Sequence, residues 1–327
     1  MKAIVRMKSG KNLSNMKVQE IESTPPLADQ VKVKMSASRI NPVDFDLMKG
    51  MPFLKYKNPQ IGGIDGAGII LELGANVKNF RIGDSVYFYR KFTDIGTWAE
   101  EININTLDIA NIPKSITATK AGSITLPIFT AYDSLLQLNA QKGEKILIHG
   151  AGGGVGFQAV QIAKHLGLEI IATAGSSDKE ILLKTGVTRV IDYKIEHFEK
   201  VIRPKGIDYC FDVLGGETLL KSISLKPKKI ISVHYIEPDK MGKVGIELPG
   251  ILKWIMKFSM RKFDKLAKEN NVQLIGQVTG ANGALLQNLT DFLTKMTFIT
   301  REYPTRNLLD IEKNGLSKSD LGKIIIF

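Results

Sequence analysis

The sequence holds a single cysteine, Cys210, in 327 residues. That excludes an internal disulfide and any zinc site built from several thiolates. Its neighbours Tyr209 and Phe211 point to a buried strand position, not a reactive thiol. Long apolar runs are also missing: no stretch approaches the ~20 residues needed to cross a bilayer, and no apolar leader with a cleavage site follows Met1. A cytoplasmic location is the expectation. Histidine is scarce, four in all (His149, His165, His197, His234), with no two at ligand spacing, so no metal site is expected. Basic residues outnumber acidic ones by forty-five to thirty-three, a net charge of +12. Such a surface suits acidic surfaces or a phosphorylated cofactor, and nucleic acid is a minor alternative because no zinc-finger or aromatic-basic signature accompanies the charge.

What is present divides the chain in two. The first third is strand-like and broken by Gly and Pro: "KAIVRM", "QVKVKMSASRI", "DGAGIILELG", "DSVYFY" and "TWAEEINI". From about Lys120 apolar strands alternate with helical segments, in "KILIHG", "EIIATA", "RVIDY", "IDYCFDV" and "KIISVHY". This pattern predicts an α/β chain, a β-rich domain followed by a doubly wound parallel sheet. "NVQLIGQV" is a candidate last strand of the sheet, "GALLQNLTDFLTKM" a last helix, and "LGKIIIF" a strand returning to the first domain.

The chemistry concentrates in "ILIHGAGGGVGFQAVQIAKHLG", Ile146–Gly167: strand, glycine turn, helix. Ala151, Gly153 and Gly156 give A-x-G-x-x-G, with Gly154 and Val155 opening the helix. Gly153 lets the backbone approach a pyrophosphate, Gly156 lets helix and strand pack closely, and the helix N-terminus favours an anion. The second strand ends in Gly175, Ser176 and Ser177, with Lys179 beyond, where an NAD site commonly carries an Asp or Glu. Ser176 and Lys179, at roughly 1.5–3 kcal/mol per charge-assisted hydrogen bond, would favour NADPH over NADH. The direction of Asp178 is not readable from the sequence.

"GEKILIHGAGGGVGFQAVQIAK", together with "INPVDFDLMKG", "IGGIDGAGIILELGANVKNFRIGDSVY", "GTWAEE", "LPIFTAYDSLL", "GVTRVIDY" and "FDVLGG", resembles the quinone oxidoreductase branch of the medium-chain dehydrogenase/reductases in the same order. The resemblance implies a GroES-like catalytic domain over 1–122, completed by 298–327, and a Rossmann NADPH-binding domain over 123–297. It implies a homodimer joined through the cofactor domains. It also implies Thr130 beside the nicotinamide, Tyr193 near the adenosine phosphate, and Gly215, Val233, His234 and Tyr235 bordering the cofactor. In the zinc enzymes of the wider family a Cys and a His hold the metal; the matching positions here are Asn41 and Ile64, poor zinc ligands. Without a Lewis acid, hydride transfer to a quinone or enone is easier than oxidation of an alcohol. Asn41 is then the candidate contact for the acceptor oxygen. A 2-enoyl thioester reductase, with Tyr56 as acid, is the alternative enzyme, and an NADPH-binding, crystallin-like protein with little turnover the alternative of another class. Asp44 and Asp65 read as turn-fixing carboxylates.

One segment exceeds a minimal βαβ series. Residues 248–270 alternate Ile251, Leu252, Ile255, Met256, Phe258, Phe263 and Leu266 with Lys253, Lys257, Arg261, Lys262 and Lys265, which predicts a basic amphipathic helix. Packing over the cleft, lysines outward, is the first expectation; contact with a membrane surface or partner is the second.

Overall fold

The computed structural model describes residues 1–7, 16–50, 60–94, 96–295 and 302–327. In chain order the first strands are β1 (Lys2–Arg6), β2 (Met16–Glu20), β3 (Gln30–Arg39), β4 (Gln60–Ile61), β5 (Asp65–Leu73), β6 (Ser85–Tyr89), β7 (Glu101–Asn105) and β8 (Ile109–Asn111). Helix α1 (Pro42–Lys49) interrupts them and α2 (Ala118–Leu136) follows. Strands and helices then alternate: β9 (Lys145–Ile148), α3 (Gly154–His165), β10 (Glu169–Ala174), α4 (Lys179–Thr185), β11 (Arg189–Asp192), α5 (Phe198–Val201), β12 (Tyr209–Asp212), α6 (Gly216–Ser224) and β13 (Lys229–Ser232). The remainder comprises α7 (Gly250–Glu269), β14 (Gln273–Gly276), α8 (Gly283–Leu293), β15 (Thr305–Asn307), α9 (Leu308–Asn314) and β16 (Ile324–Ile326).

Two units result. The first contains Met1–Leu126, Lys243–Ile246 and Gly280–Phe327. Its larger sheet runs β15-β16-β3-β5-β6-β8, with β7 also on β3, and a smaller one runs β2-β1-β4. Antiparallel pairing lets one face go to solvent, and β3 shows it: Val31, Val33 and Met35 are buried while Lys34 is exposed. Lys32 is buried too, its ammonium held by Glu72 at 2.6 Å. Val31, Val33, Met35, Ile70, Val86 and Phe88 pack into one core.

The second unit contains Pro127–Gly242 and Glu247–Thr279. Its six strands are parallel, ordered β11-β10-β9-β12-β13-β14. Helices cover the strands, so they are apolar almost throughout; Ile146, Leu147 and Ile148 of β9 are fully buried. Cys210 lies fully buried in β12, and burial pushes its thiol pKa well up. The strand order reverses between β9 and β12, which opens a crevice at their carboxyl ends where such sheets bind ligands.

The observed division differs from the expected boundaries at 122/123 and 297/298. It falls inside α2, at Pro127, and α8 groups with the first unit. The reason is specific bonding: Tyr87 on β6 donates from Oη to Leu286 O at 2.9 Å and meets Thr290 Oγ1 at 2.9 Å. The predicted basic helix is α7, but its packing departs from expectation. Phe263 and Ala267 are buried, whereas Ile251, Trp254, Ile255 and Phe258 are exposed. No helix among the described residues is long and apolar enough to cross a membrane.

Candidate coenzyme site

The crevice begins where β9 ends. His149 prolongs the strand, its N–H donating to Phe211 O at 2.9 Å. Gly150 then turns the chain with φ of +62°, a conformation that favours glycine, and a Cβ there would press on Val213 Cγ2 at 2.7 Å. Ala151 N–H donates to Thr173 O at 3.0 Å. Its amide therefore ties the turn to β10. Gly153 caps α3, and the first intrahelical bond runs from Phe157 N–H to Gly153 O at 2.9 Å. The N–H groups of Gly154, Val155 and Gly156 thus stand in the open first turn, at the positive end of the dipole. A Cβ on Gly153 would meet only Gly150 O, at 3.2 Å, so a ligand's backbone-side approach is open. On Gly156 it would collide with the Gly150 carbonyl, which fixes how closely α3 packs on the turn.

The end of β10 supplies the next groups. Ser176 is exposed in a short turn and Lys179 is exposed at the start of α4. β10 and β11 pair in register up to Ala174 and Asp192, which brings Tyr193 beside Gly175: a Cβ on Gly175 would lie 3.9 Å from Tyr193 Oη. Gly175 and Tyr193 therefore lie together at the carboxyl end of the sheet, with Ser176 and Lys179 exposed just beyond. Asp178 turns back onto the glycine turn, where a Cβ on Gly152 would lie 2.7 Å from its carboxyl carbon. The open helix terminus and the clear approach over Gly153 fit the phosphates of a dinucleotide, with the Asp178 carboxylate as the opposing charge beside Gly152.

Beyond β12 the loops are fixed by a residue to which the sequence reading assigned no role. Asp212 is fully buried; Oδ1 accepts from Leu214 N–H at 3.0 Å, and Oδ2 accepts from Gly215 N–H at 3.0 Å and Ser232 Oγ at 2.6 Å. Ser232 Oγ in turn accepts from His234 N–H at 3.1 Å and Tyr235 N–H at 3.2 Å. An Asp shortly before a glycine pair is the local signal that would have marked this turn. Gly215 has φ of +68°, and a Cβ there would run into His234, so the two expected neighbours do meet. Val233 N–H donates to Asp212 O at 3.1 Å. Tyr235 turns its hydroxyl to α7, donating to Asp264, and burial, then this carboxylate, pushes the phenol pKa up. His149 is also inward, its ring nitrogens 3.0 Å from Thr173 Oγ1 and 2.8 Å from Ser222 Oγ, and burial pulls its pKa down to about 4. Thr130 is buried on α2, where Thr279 Oγ1 donates to its hydroxyl at 3.3 Å.

The first unit carries a separate polar cluster. Asn41 caps α1, with Asp44 Oδ2 accepting from its N–H at 2.7 Å. Its Nδ2 donates to Asp65 Oδ1 at 2.8 Å and to Arg39 O at 3.3 Å. Both amide hydrogens are bonded inside the protein, so a contact from this amide to an acceptor oxygen requires one of these bonds to be given up. Asp65 Oδ2 accepts from Leu126 N–H at 2.8 Å, and burial pushes its carboxyl up to about 7. Burial, then the charge of Asp65, pushes Asp44 up as well. Ile64 is fully buried hydrocarbon and offers a metal no donor; zinc does not fit this pair. No cluster of three or more His, Cys, Asp or Glu suited to a metal occurs among the described residues. Tyr56 lies outside the described residues.

Comparison with known proteins agrees with this architecture. Residues 27–114 match the family model "Alcohol dehydrogenase GroES-like domain", and 154–228 match "Zinc-binding dehydrogenase". A human quinone oxidoreductase is 34% identical over 206 residues, covering 61% of this chain and 62% of that protein. The tomato (Solanum lycopersicum) 2-methylene-furan-3-one reductase is 33% identical over 239 residues, 69% of this chain and 59% of its own length. The matched stretches thus span less than two thirds of these relatives. The solved quinone oxidoreductase from Coxiella burnetii superposes with a TM-score of 0.80 at 24% identity, covering 100% of this chain and 99% of that one, which speaks to the fold. In both of its units the chain is thus similar to medium-chain dehydrogenase/reductases, quinone oxidoreductases among them.

Proposed function

We propose that this chain is a zinc-independent, NADPH-dependent oxidoreductase that reduces a quinone or a related activated carbonyl compound or enone. The family's Rossmann unit implies a nicotinamide coenzyme. The observation that carries the NADPH reading is the pair Ser176 and Lys179, exposed just beyond β10, with Tyr193 beside Gly175 and the Asp178 carboxylate folded onto Gly152. Lys179 and Ser176 would bind a 2′-phosphate, and the first turn of α3 the pyrophosphate. When bound, the coenzyme supplies a hydride. Thr130 would orient the nicotinamide side, its hydroxyl hydrogen left to donate because Thr279 already occupies its oxygen as an acceptor. Asp212 and Ser232 hold the two loops that would border it.

The acceptor class is supported by the relatives' names, quinone oxidoreductase and 2-methylene-furan-3-one reductase, both describing conjugated carbonyl acceptors. Zinc independence is supported by the donor chemistry of Asn41 and Ile64, the one committed and the other apolar. A homodimer through the second unit and a cytoplasmic location complete the reading. The test is an NADPH oxidation panel of quinones, enones, enoyl thioesters and simple alcohols. Quinone or enone turnover supports the proposal; turnover of enoyl thioesters alone supports the thioester reductase with Tyr56 as acid. Stoichiometric NADPH binding without turnover supports the binding-protein reading.

A further inference from the structure

Helix α7 presents two apolar arcs. At about 100° per residue, Leu252, Met256, Phe263 and Ala267 fall on one side, and Ile251, Trp254, Ile255 and Phe258 on the other. The first arc is the inward one, with Phe263 and Ala267 packed in the core of the second unit. The second faces solvent, each of its four side chains being 50–70% exposed. Trp254 and Phe258 stack on the surface with ring centroids 5.7 Å apart. Four large apolar side chains in one exposed row are not scattered surface hydrophobics; contiguity is what marks an interaction site.

The charge on the same helix says what covers the row. The helix carries six basic side chains against Asp264 and Glu269. Lys253 and Lys257 reach Asp239, at 3.5 and 2.7 Å. Arg261, Lys262, Lys265 and Lys268 are exposed in the following turns, Lys265 within 3.9 Å of Glu269, and Arg261 sits over the Phe258 ring at 5.3 Å from its centroid. Along its exterior the helix is therefore apolar in its first half and cationic in its second. A second copy laid on this face would bring two net-positive helices together, whereas an anionic bilayer accepts both halves. Tryptophan at an apolar–polar boundary is the side chain most at home in the headgroup region.

We propose that α7 docks the protein on an anionic membrane surface, Ile251, Trp254, Ile255 and Phe258 entering the acyl boundary and Arg261, Lys262, Lys265 and Lys268 facing the headgroups. The docking is peripheral and independent of the coenzyme reading.

The structure also supplies the probe. Of the two tryptophans, Trp98 is fully buried and Trp254 is exposed, so a change in emission on adding vesicles reports α7. With vesicles of phosphatidylcholine and phosphatidylserine the full chain should co-sediment and its emission shift to the blue; with phosphatidylcholine alone it should do neither. Binding should fall at ionic strengths where the Debye length shrinks to ~3 Å. Each basic residue changed to Gln should weaken partitioning about fivefold, near ~1 kcal/mol per contact. The exposed pair Trp254→Ser and Phe258→Ser should abolish binding while leaving the thermal midpoint unchanged. Equal binding to neutral vesicles, absence of binding to anionic ones, or retention by the Ser pair overturns the proposal. So does conversion of a dimer to a monomer by the Ser pair without any vesicle binding, which assigns the face to a second copy.

Discussion

Asp65 should make the first unit less stable as the pH rises through neutrality. Its carboxyl is fully buried and pushed from 3.8 to about 7. Between about pH 4 and pH 7 the folded chain therefore holds a proton that the unfolded chain releases. The folded state binds more protons there, so this contribution to stability is complete below about pH 4 and is lost as the pH climbs through 7. At ~1.4 kcal/mol per pH unit the ceiling is about 4 kcal/mol. Several groups temper it. Asp44 competes for the proton, Arg39 favours the anion, Asn41 Nδ2 and Leu126 N–H stabilise it, and the buried Tyr89 hydroxyl titrates above the range. Sharing with Asp44 brings the expected loss to about 2 kcal/mol. The perturbation is Asp65→Asn in a Trp254→Phe background, where emission reports Trp98 in the first unit. Urea unfolding at pH 4.5 and pH 8 gives the difference between parent and variant. The parent should lose about 2 kcal/mol relative to the Asp65→Asn variant across that interval. A flat difference, or one that moves in the parent's favour, refutes the argument.

Other substitutions test the second unit and the cluster. Lys179→Ala should weaken NADPH binding tenfold or more and leave NADH nearly unchanged by fluorescence titration; equal losses would show that it does not meet the 2′-phosphate. Gly156→Val must displace the Gly150 carbonyl, and should destabilise the unit by about 1–3 kcal/mol and abolish dinucleotide binding in calorimetry. Asn41→Ala strips a donor from buried Asp65, so a loss of about 1–3 kcal/mol in urea unfolding is expected, with NADPH affinity unchanged. Activity should survive exhaustive chelation in the NADPH oxidation assay; reversible loss would restore a metal to the mechanism.

The glycine turn was legible because its constraint is local. Gly150 is required by backbone conformation and Gly156 by close approach, and both leave a mark in residue type. The same holds for Ser176 and Lys179 just beyond β10. Side-chain direction leaves no such mark. Asp178 folds onto Gly152 and Tyr235 reaches Asp264 through contacts with residues remote or rotated in sequence, and Asn41 spends its amide on Asp65, twenty-four positions away. Helix α7 misled for a related reason: its apolar residues occupy two arcs, and periodicity does not say which one the sheet covers. The α8 boundary was hidden because Tyr87, its anchor, lies far upstream.

The pairing of β16 with β3 sets an order on synthesis. Ile325 aligns with Ser38 and Ile326 with Ala37, so the larger sheet of the first unit is closed by strands made at widely separated times. A nascent chain has made every strand of the parallel sheet by Gly276, and can bury that core while the second half of β3 still waits for its neighbour. Until β16 leaves the ribosome, that part of β3 offers a bare edge to other nascent chains, the kind of surface that chaperones shield. A chain cut short ahead of Ile324 would leave the parallel-sheet unit able to fold and the other permanently open.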